Sequence, residues 1–419
     1  MPEKRKHITV FEHQAIKLDQ IIDGVKFDKA SLSALQNYYG DKGVPYYNLI
    51  HRGVCFNEYV GVIQVGGITI EVLPKADKYE TDKGKWQKLL IDMLRAVDMF
   101  DIHAPSSSSL KIKYNSILDL YFELFIKEVE YLLHNGLVKQ YRKKEGNVNA
   151  LKGSLQFGKH IQQNLTHQER FYVRYTTYDV EHKLHLILYK TIRLLKQINS
   201  NAGLHSRIGA LMLHFPEMPD IKVEESTFEK LVFTRKNHSY KKALEIAKLL
   251  LLQYHPDVSE GKNNLLALMF DMNKLWEQFV YVSLRKHKDS KTSITAQTSK
   301  SFWKPEKGGH SKIRPDIVIN KDKPDCVVLD TKWKTLNGTN PSSEDLRQMY
   351  VYHEYYDAKR VALVYPGVKF ARISGSYLHP DSSSILEMEC SVIALSVELN
   401  VSNWQNKIFE EFENWLIES

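Results

Sequence analysis

Cysteine is scarce: Cys55, Cys326 and Cys390 are the three in 419 residues, far apart and with no Cys-x-x-Cys pair. That argues against a disulfide scaffold and against a zinc ribbon. No apolar run reaches the roughly 18 residues a membrane span needs. The opening residues Met1 to His7 are mostly charged or polar, and Glu12, His13 and Gln14 interrupt the stretch from Ile8 to Ile16. No signal-peptide core is legible, so a cytoplasmic protein with no membrane partner is expected. GxxxxGK[ST], GxGxxG and GxSxG are all missing, which excludes the commonest nucleotide-binding loops and the nucleophile elbow. His353-Glu354 begins like a zinc-protease motif, but the fifth residue is Asp357 and the second ligand is lost. His182 and His185 lie three apart with no carboxylate or thiolate pattern, and read as packed or surface histidines.

What is present is a composition that fills cores. At 43% hydrophobic residues the chain is globular and long enough for two or three domains. Lys and Arg total 58 against 50 Asp and Glu, a formal charge of +8. A polyanionic partner would suit that balance.

The pattern of residues suggests three parts. Apolar alternation through Val60, Val62, Ile68, Ile70 and Val72 around Gly66-Gly67 reads as a hairpin. Helical spacing follows from Trp86 to Val97 and from Ile117 to Leu133. Residues 1–160 are therefore expected to form an α+β domain, and residues 161–255 a helical connecting section. Beyond them, residues 256–419 alternate helix, strands, helix and strand, the order of an α/β domain. Within that part, helices are expected over Met272–Arg285, Glu344–Tyr356 and Trp404–Ile417, with strands near Ile317–Ile319, Cys326–Trp333, Val361–Tyr365 and Val392–Val397.

The chemistry concentrates in Arg314-Pro315-Asp316-Ile317-Val318-Ile319 and Cys326-Val327-Val328-Leu329-Asp330-Thr331-Lys332, two apolar strands joined by a polar turn. Alternation sets Asp330 and Lys332 on one face, and Leu329 and Thr331 on the other. A carboxylate inside an apolar strand is costly unless its desolvation is offset, and a divalent cation shared with Asp316 offsets it. Such a centre suits phosphodiester hydrolysis, with Lys332 orienting the attacking water or helping to deprotonate it.

This pattern resembles the PD-(D/E)xK nuclease superfamily, which implies a restriction-endonuclease-like fold for residues 256–419. In that superfamily a preceding helix often supplies another acid, and Glu277 matches it. Gln348 and Tyr352, one helical turn apart, resemble the QxxxY feature of RecB-like nucleases. The stretch Phe270-Asp271-Met272-Asn273-Lys274-Leu275-Trp276-Glu277, with Ala362-Leu363-Val364-Tyr365-Pro366, Val72-Leu73-Pro74-Lys75 and Leu151-Lys152-Gly153, is similar to the McrC family, though His182 stands where that pattern has an asparagine.

The resemblance implies a Mg²⁺-dependent DNA endonuclease subunit that cuts modified, methylcytosine-type foreign DNA. It also implies a hexameric McrB-type AAA+ GTPase partner that binds the GTP and is stimulated by this chain's N-terminal half. Asp316, Asp330 and Glu277 are the implied metal ligands, with Lys332, Gln348 and Tyr352 completing the catalytic set. Two other readings are an autonomous RecB-like nuclease, which the long N-terminal extension disfavours, and a non-cutting activator or scaffold, which intact Asp316, Asp330 and Lys332 disfavour.

Double-stranded DNA is expected along Arg285 to Arg314, where nine Lys or Arg face two acids and Phe302-Trp303 are interleaved. Lys300, Lys304, Lys307, Lys312 and Arg314 are the candidate phosphate contacts. No helix or ribbon for reading bases is legible there. A second cluster, Lys139 to Lys144, could face DNA, the partner or water.

Overall fold

The computed structural model describes residues 6–65, 68–75, 82–97, 117–255, 265–288, 292–334, 341–379, 381–382 and 384–417. The chain divides into two compact units, one of residues 1–5 and 102–259, the other of residues 6–101 and 260–419. Among the described residues no helix is long and apolar enough to cross a membrane, and Cys55, Cys326 and Cys390 are free thiols.

In the first unit the helix Ile117–His134 is buried on nearly every side, from Ile117 and Leu120 to Phe125 and Val129. Helices Lys183–Ile198, Ala202–His214 and Lys241–Leu252 pack in the same unit. His185 is fully buried. Its Nε2 lies 3.0 Å from the Tyr240 hydroxyl, and burial pushes its pKa down to about 4, so it is a neutral packing residue. His182 is buried too, with Nε2 2.7 Å from the Val138 carbonyl.

The section expected to be helical over residues 161–255 also contributes a strand. Gln140–Val148 and Phe171–Asp179 form an antiparallel ribbon, joined at its edge by Ser154–Leu155. Most side chains on this ribbon are polar or aromatic and both faces are at least partly open, so no apolar alternation announces it. Gly153 has φ +68°, and a Cβ there would meet the Arg174 carbonyl oxygen at 2.2 Å; only glycine lets the edge strand close in.

In the second unit, strands Lys6–Phe11, Ile68–Leu73, Tyr59–Val65 and Leu265–Asp271 adjoin in that order. Val65 pairs with Ile68, as a two-residue hairpin requires; Gly66 and Gly67 themselves lie outside the described residues. Phe270 pairs with Val60, and this pairing carries the N-terminal strands into the same unit as the C-terminal part. The division thus runs differently from the sequence boundaries at 160 and 255, because strand pairing across some 200 residues leaves no trace in local composition.

A second sheet orders Ile294–Ala296, Ile317–Ile319, Val327–Thr331, Arg360–Gly367, Ile385–Ser396 and Ala371–Leu378. Its centre is parallel, Val327–Thr331 with Arg360–Gly367 and that strand with Ile385–Ser396, and its flanks are antiparallel. The helix Ser343–Tyr356 covers one face, where Met349, Tyr352 and Tyr356 meet Val318, Val328, Val361 and Leu363. Helices Met272–His287 and Val401–Ile417 cover the other through Trp276, Phe279 and Trp404, with the Phe279 and Trp404 rings 4.7 Å apart. Asp271 ends one sheet and caps the helix that serves the other, its Oδ1 accepting from the amides of Asn273 and Lys274.

Candidate active site

Asp330 belongs to an interior strand whose neighbours Val328 and Leu329 are fully buried, and it is only 2% exposed itself. The Ile317↔Leu329 register, continued by one pair, sets Asp316 across from it. Asp316 Oδ2 accepts the Thr331 amide at 2.6 Å and the Thr331 hydroxyl at 2.8 Å. The Lys332 ammonium lies 2.6 Å from Asp330 Oδ2 and donates to Gln348 Oε1 at 3.3 Å. Gln348 Nε2 in turn donates to Asp330 Oδ1 at 3.3 Å and to the Tyr352 oxygen at 2.8 Å. The Tyr352 hydroxyl donates to the Arg314 carbonyl at 3.2 Å. Four of the six residues singled out as catalytic, Asp330, Lys332, Gln348 and Tyr352, are therefore joined in one network, with Asp316 tied to the strand of Asp330 through Thr331, and helical spacing puts Gln348 and Tyr352 on the same stripe.

Glu277 is brought near without joining that network. It is 9% exposed, and its Oε1 accepts from Gln297 at 2.8 Å. Burial pushes its carboxyl up to about 7, and the negative charges of Asp316 and Asp330 add to the rise. Burial likewise lifts Asp330, with Asp316 adding repulsion and Lys332 opposing it. It also lifts Asp316, against the pull of the two Thr331 hydrogen bonds. Burial alone would lower Lys332, yet Asp330 and Asp316 outweigh it and hold the ammonium above its ordinary value.

Three acids that repel one another, opposed by Lys332 and Arg314, suit a cation. Among the described residues Asp330 Oδ2 has no hydrogen bond of good geometry, and it is paired with the Lys332 ammonium. Among the described residues no three His, Cys, Asp or Glu side chains converge closely enough to cage a metal. The residues fit an ion that takes two carboxylates and keeps waters, as Mg²⁺ does. Asp316 and Asp330 would hold it, with Glu277 at the margin.

The basic segment is more ordered than its sequence suggests. Lys300–Trp303 pairs antiparallel with Ser311–Ile313, so the reading of no ribbon is corrected: its strands are too short and too exposed to show a period. Lys304, Lys307, Lys312 and Arg314 are exposed. Lys300 is engaged by the protein, donating to the Tyr355 carbonyl at 2.9 Å and sitting 4.8 Å over the Tyr356 ring. In the Lys139 to Lys144 cluster, Arg142 and Lys144 are paired with Asp179 and Glu181, so half of that cluster is neutralised.

Sequence reasoning missed four residues around the centre. Thr331, given no role by alternation, clamps Asp316. Asp345 accepts from Lys334 at 2.6 Å and adds negative potential at Asp330 and Lys332; it lies three residues before Gln348, on the same stripe, and extending that stripe one turn would have found it. Gln297 and Glu12 are remote in sequence and left no signal. Glu12 Oε1 accepts from the Trp333 indole at 2.8 Å and from the Lys75 amide at 2.7 Å, holding the residue that follows Lys332.

Fold and cluster together define a mixed α/β protein with a carboxylate–lysine centre at the carboxyl end of a parallel strand pair, where open sheets bind their ligands. The model of the family described as McrBC 5-methylcytosine restriction system component matches residues 54–366. The chain belongs to that family. A solved half-complex of Thermococcus gammatolerans, from a tetradecameric assembly of McrB AAA+ hexamers with bound McrC, is similar over 98% of this chain and 100% of the matched one, at 18% identity and a TM-score of 0.70. The cryo-EM structure of the McrBC complex from the same organism aligns over 67% of this chain and 88% of the other, at 21% identity and a TM-score of 0.49. No curated protein matches the chain.

Proposed function

We propose that this chain is the Mg²⁺-dependent DNA endonuclease subunit of a McrBC-like, GTP-dependent restriction system, acting on methylcytosine-type foreign DNA. The observation that carries the reading is the cluster in which hydrogen bonds and one ion pair join Asp330, Lys332 and Gln348, with Asp316 set across from Asp330 by the strand register. When bound, Mg²⁺ supplies Lewis-acid stabilisation of the charge that builds on the scissile phosphate. Asp316 and Asp330 hold it, and Thr331 fixes the rotamer of Asp316. Lys332, protonated under the pull of two carboxylates, orients the attacking water and faces the developing negative charge. Gln348 keeps the Lys332 ammonium beside Asp330 and aligns Tyr352.

The partner is a McrB-type hexameric AAA+ GTPase that binds the GTP, and this chain stimulates its hydrolysis. Membership in the family supports that division, as does the absence of a phosphate loop in this sequence. The McrC of the Thermococcus half-complex is bound to McrB hexamers. We place the chain in the cytoplasm, where foreign DNA and reduced thiols coexist.

The test is reconstitution with the cognate GTPase on methylated and unmethylated duplexes. Cleavage that needs GTP, Mg²⁺ and methylation together supports the proposal. Cleavage by the chain alone, without GTP, would favour an autonomous nuclease.

A further inference from the structure

We infer that the Lys300–Ile313 hairpin is a DNA-groove ribbon whose exposed Trp303 stacks on a base step beside the scissile phosphate. The inference rests on the nuclease reading and adds to it a base contact on a rigid element. Its first support is the ribbon itself. Lys300 pairs with Ile313 and Ser301 with Lys312, after which the register shifts so that Trp303 pairs with Ser311. A bulge of this kind re-aims a side chain and is frequent beside active sites. Phe302 is 45% and Trp303 60% exposed.

The second support is that the two aromatics behave differently. Phe302 lies 5.2 Å from the Tyr355 ring and anchors the ribbon to the helix Ser343–Tyr356. Ile313 packs against the core under that helix, and the Arg314 carbonyl is held by Tyr352. The base of the ribbon is thereby fixed to the Gln348 helix, while Trp303 faces solvent. Ser311, the partner of Trp303, is five residues from Asp316, at most about 17 Å of extended chain. That length covers about five base steps.

The third support is charge. From Lys300 to Arg314 the ribbon carries Lys300, Lys304, Lys307, Lys312 and Arg314 against Glu306 alone. An indole flanked by exposed cations matches a wedge inserted at a base step between phosphates, which a duplex admits by partial unstacking, and a two-stranded ribbon is of a size that the major groove admits. The occupant is duplex DNA.

The experiment uses the full chain with its GTPase partner and a methylated duplex carrying 2-aminopurine at successive positions around the cut. Wild type is compared with Trp303→Ala, Trp303→Phe and the triple variant Lys304→Gln, Lys307→Gln, Lys312→Gln, binding being measured without Mg²⁺. Trp303→Ala should bind roughly tenfold more weakly, lose the 2-aminopurine quenching and keep the salt dependence of wild type. Trp303→Phe should restore most of the quenching. The triple variant should flatten the salt dependence and keep the quenching.

Wild-type affinity and quenching in Trp303→Ala would overturn the inference. So would loss of GTPase stimulation with DNA affinity intact, which would make Trp303 a protein-docking residue. Wild type that quenches but never cuts would sink the nuclease reading and leave the base contact standing.

Discussion

Thr331 grips Asp316 twice, through its backbone N–H at 2.6 Å and its hydroxyl at 2.8 Å on the same carboxylate oxygen. Asp316 immediately precedes the strand Ile317–Ile319, which runs antiparallel to the strand of Thr331, so the clamp ties one carboxylate to the strand that carries the other. Thr331→Val keeps the shape and the amide bond and removes the hydroxyl. A hydrogen bond to a charged group is worth about 1.5–3 kcal/mol. We expect cleavage to fall at least about tenfold and the Mg²⁺ requirement to rise, with the fold retained. Wild-type kinetics across a Mg²⁺ titration would show that the clamp is idle.

Gln348→Ala removes a side chain that touches Lys332, Asp330 and Tyr352 together. Its helix is anchored by Met349 and Tyr356 in the core, so stability should change by less than about 1 kcal/mol. Turnover should drop by tenfold or more while the affinity for duplex DNA stays near wild type. The single-turnover cleavage rate and a binding isotherm decide it; equal losses in both would assign Gln348 to DNA contact.

Glu12 provides a pH signature. Burial pushes its carboxyl up to about 7, against the opposing hydrogen bonds from Trp333 and Lys75. The folded chain then binds the proton more tightly than the unfolded chain. Stability is highest below the ordinary carboxyl range near 4.5 and falls as pH rises to about 7, by as much as about 3 kcal/mol. Glu12→Gln should remove that slope. Glu277 and Glu411 also rise to about 7, so the quantity to measure is the difference between the two chains in urea midpoint from pH 5 to pH 8. The variant should gain on wild type as pH rises, and parallel curves would contradict the assignment.

The fragment 256–419 should not fold alone. Its strand Leu265–Asp271 pairs with Tyr59–Val65, and cutting there exposes an apolar edge of Leu265, Leu266, Ala267 and Leu268, all buried in the whole chain. Circular dichroism and a denaturant titration of the fragment should show no cooperative transition; a sharp one would mean that the N-terminal strands are dispensable.

The acid–lysine pattern was legible because strand alternation and side-chain chemistry are both local. Asp316, Asp330 and Lys332 fall within 17 residues, and the turn between the strands left only one short register to consider. Gln348 and Tyr352 were legible through their resemblance to the QxxxY feature, while helix periodicity made the helices Met272–His287 and Val401–Ile417 legible through their apolar stripes. The ribbon Gln140–Val148 with Phe171–Asp179 was not. Cross-strand ion pairs such as Arg174 with Glu145 help hold it, and such pairs have no sequence period. Glu12 was invisible for a different reason: its indole partner is 321 residues away, and only the pairing of distant strands brings Trp333 within reach.

The most direct test of the central claim is cleavage by Asp330→Ala, with the cognate GTPase, GTP, Mg²⁺ and methylated duplex DNA, read alongside GTP turnover in the same tubes. The centre assigned here predicts that strand cutting is abolished while stimulation of GTP hydrolysis stays within about twofold of wild type, since one carboxylate is lost without emptying a core. Cutting at the wild-type rate would contradict the claim that Asp316, Asp330 and Lys332 form the catalytic centre.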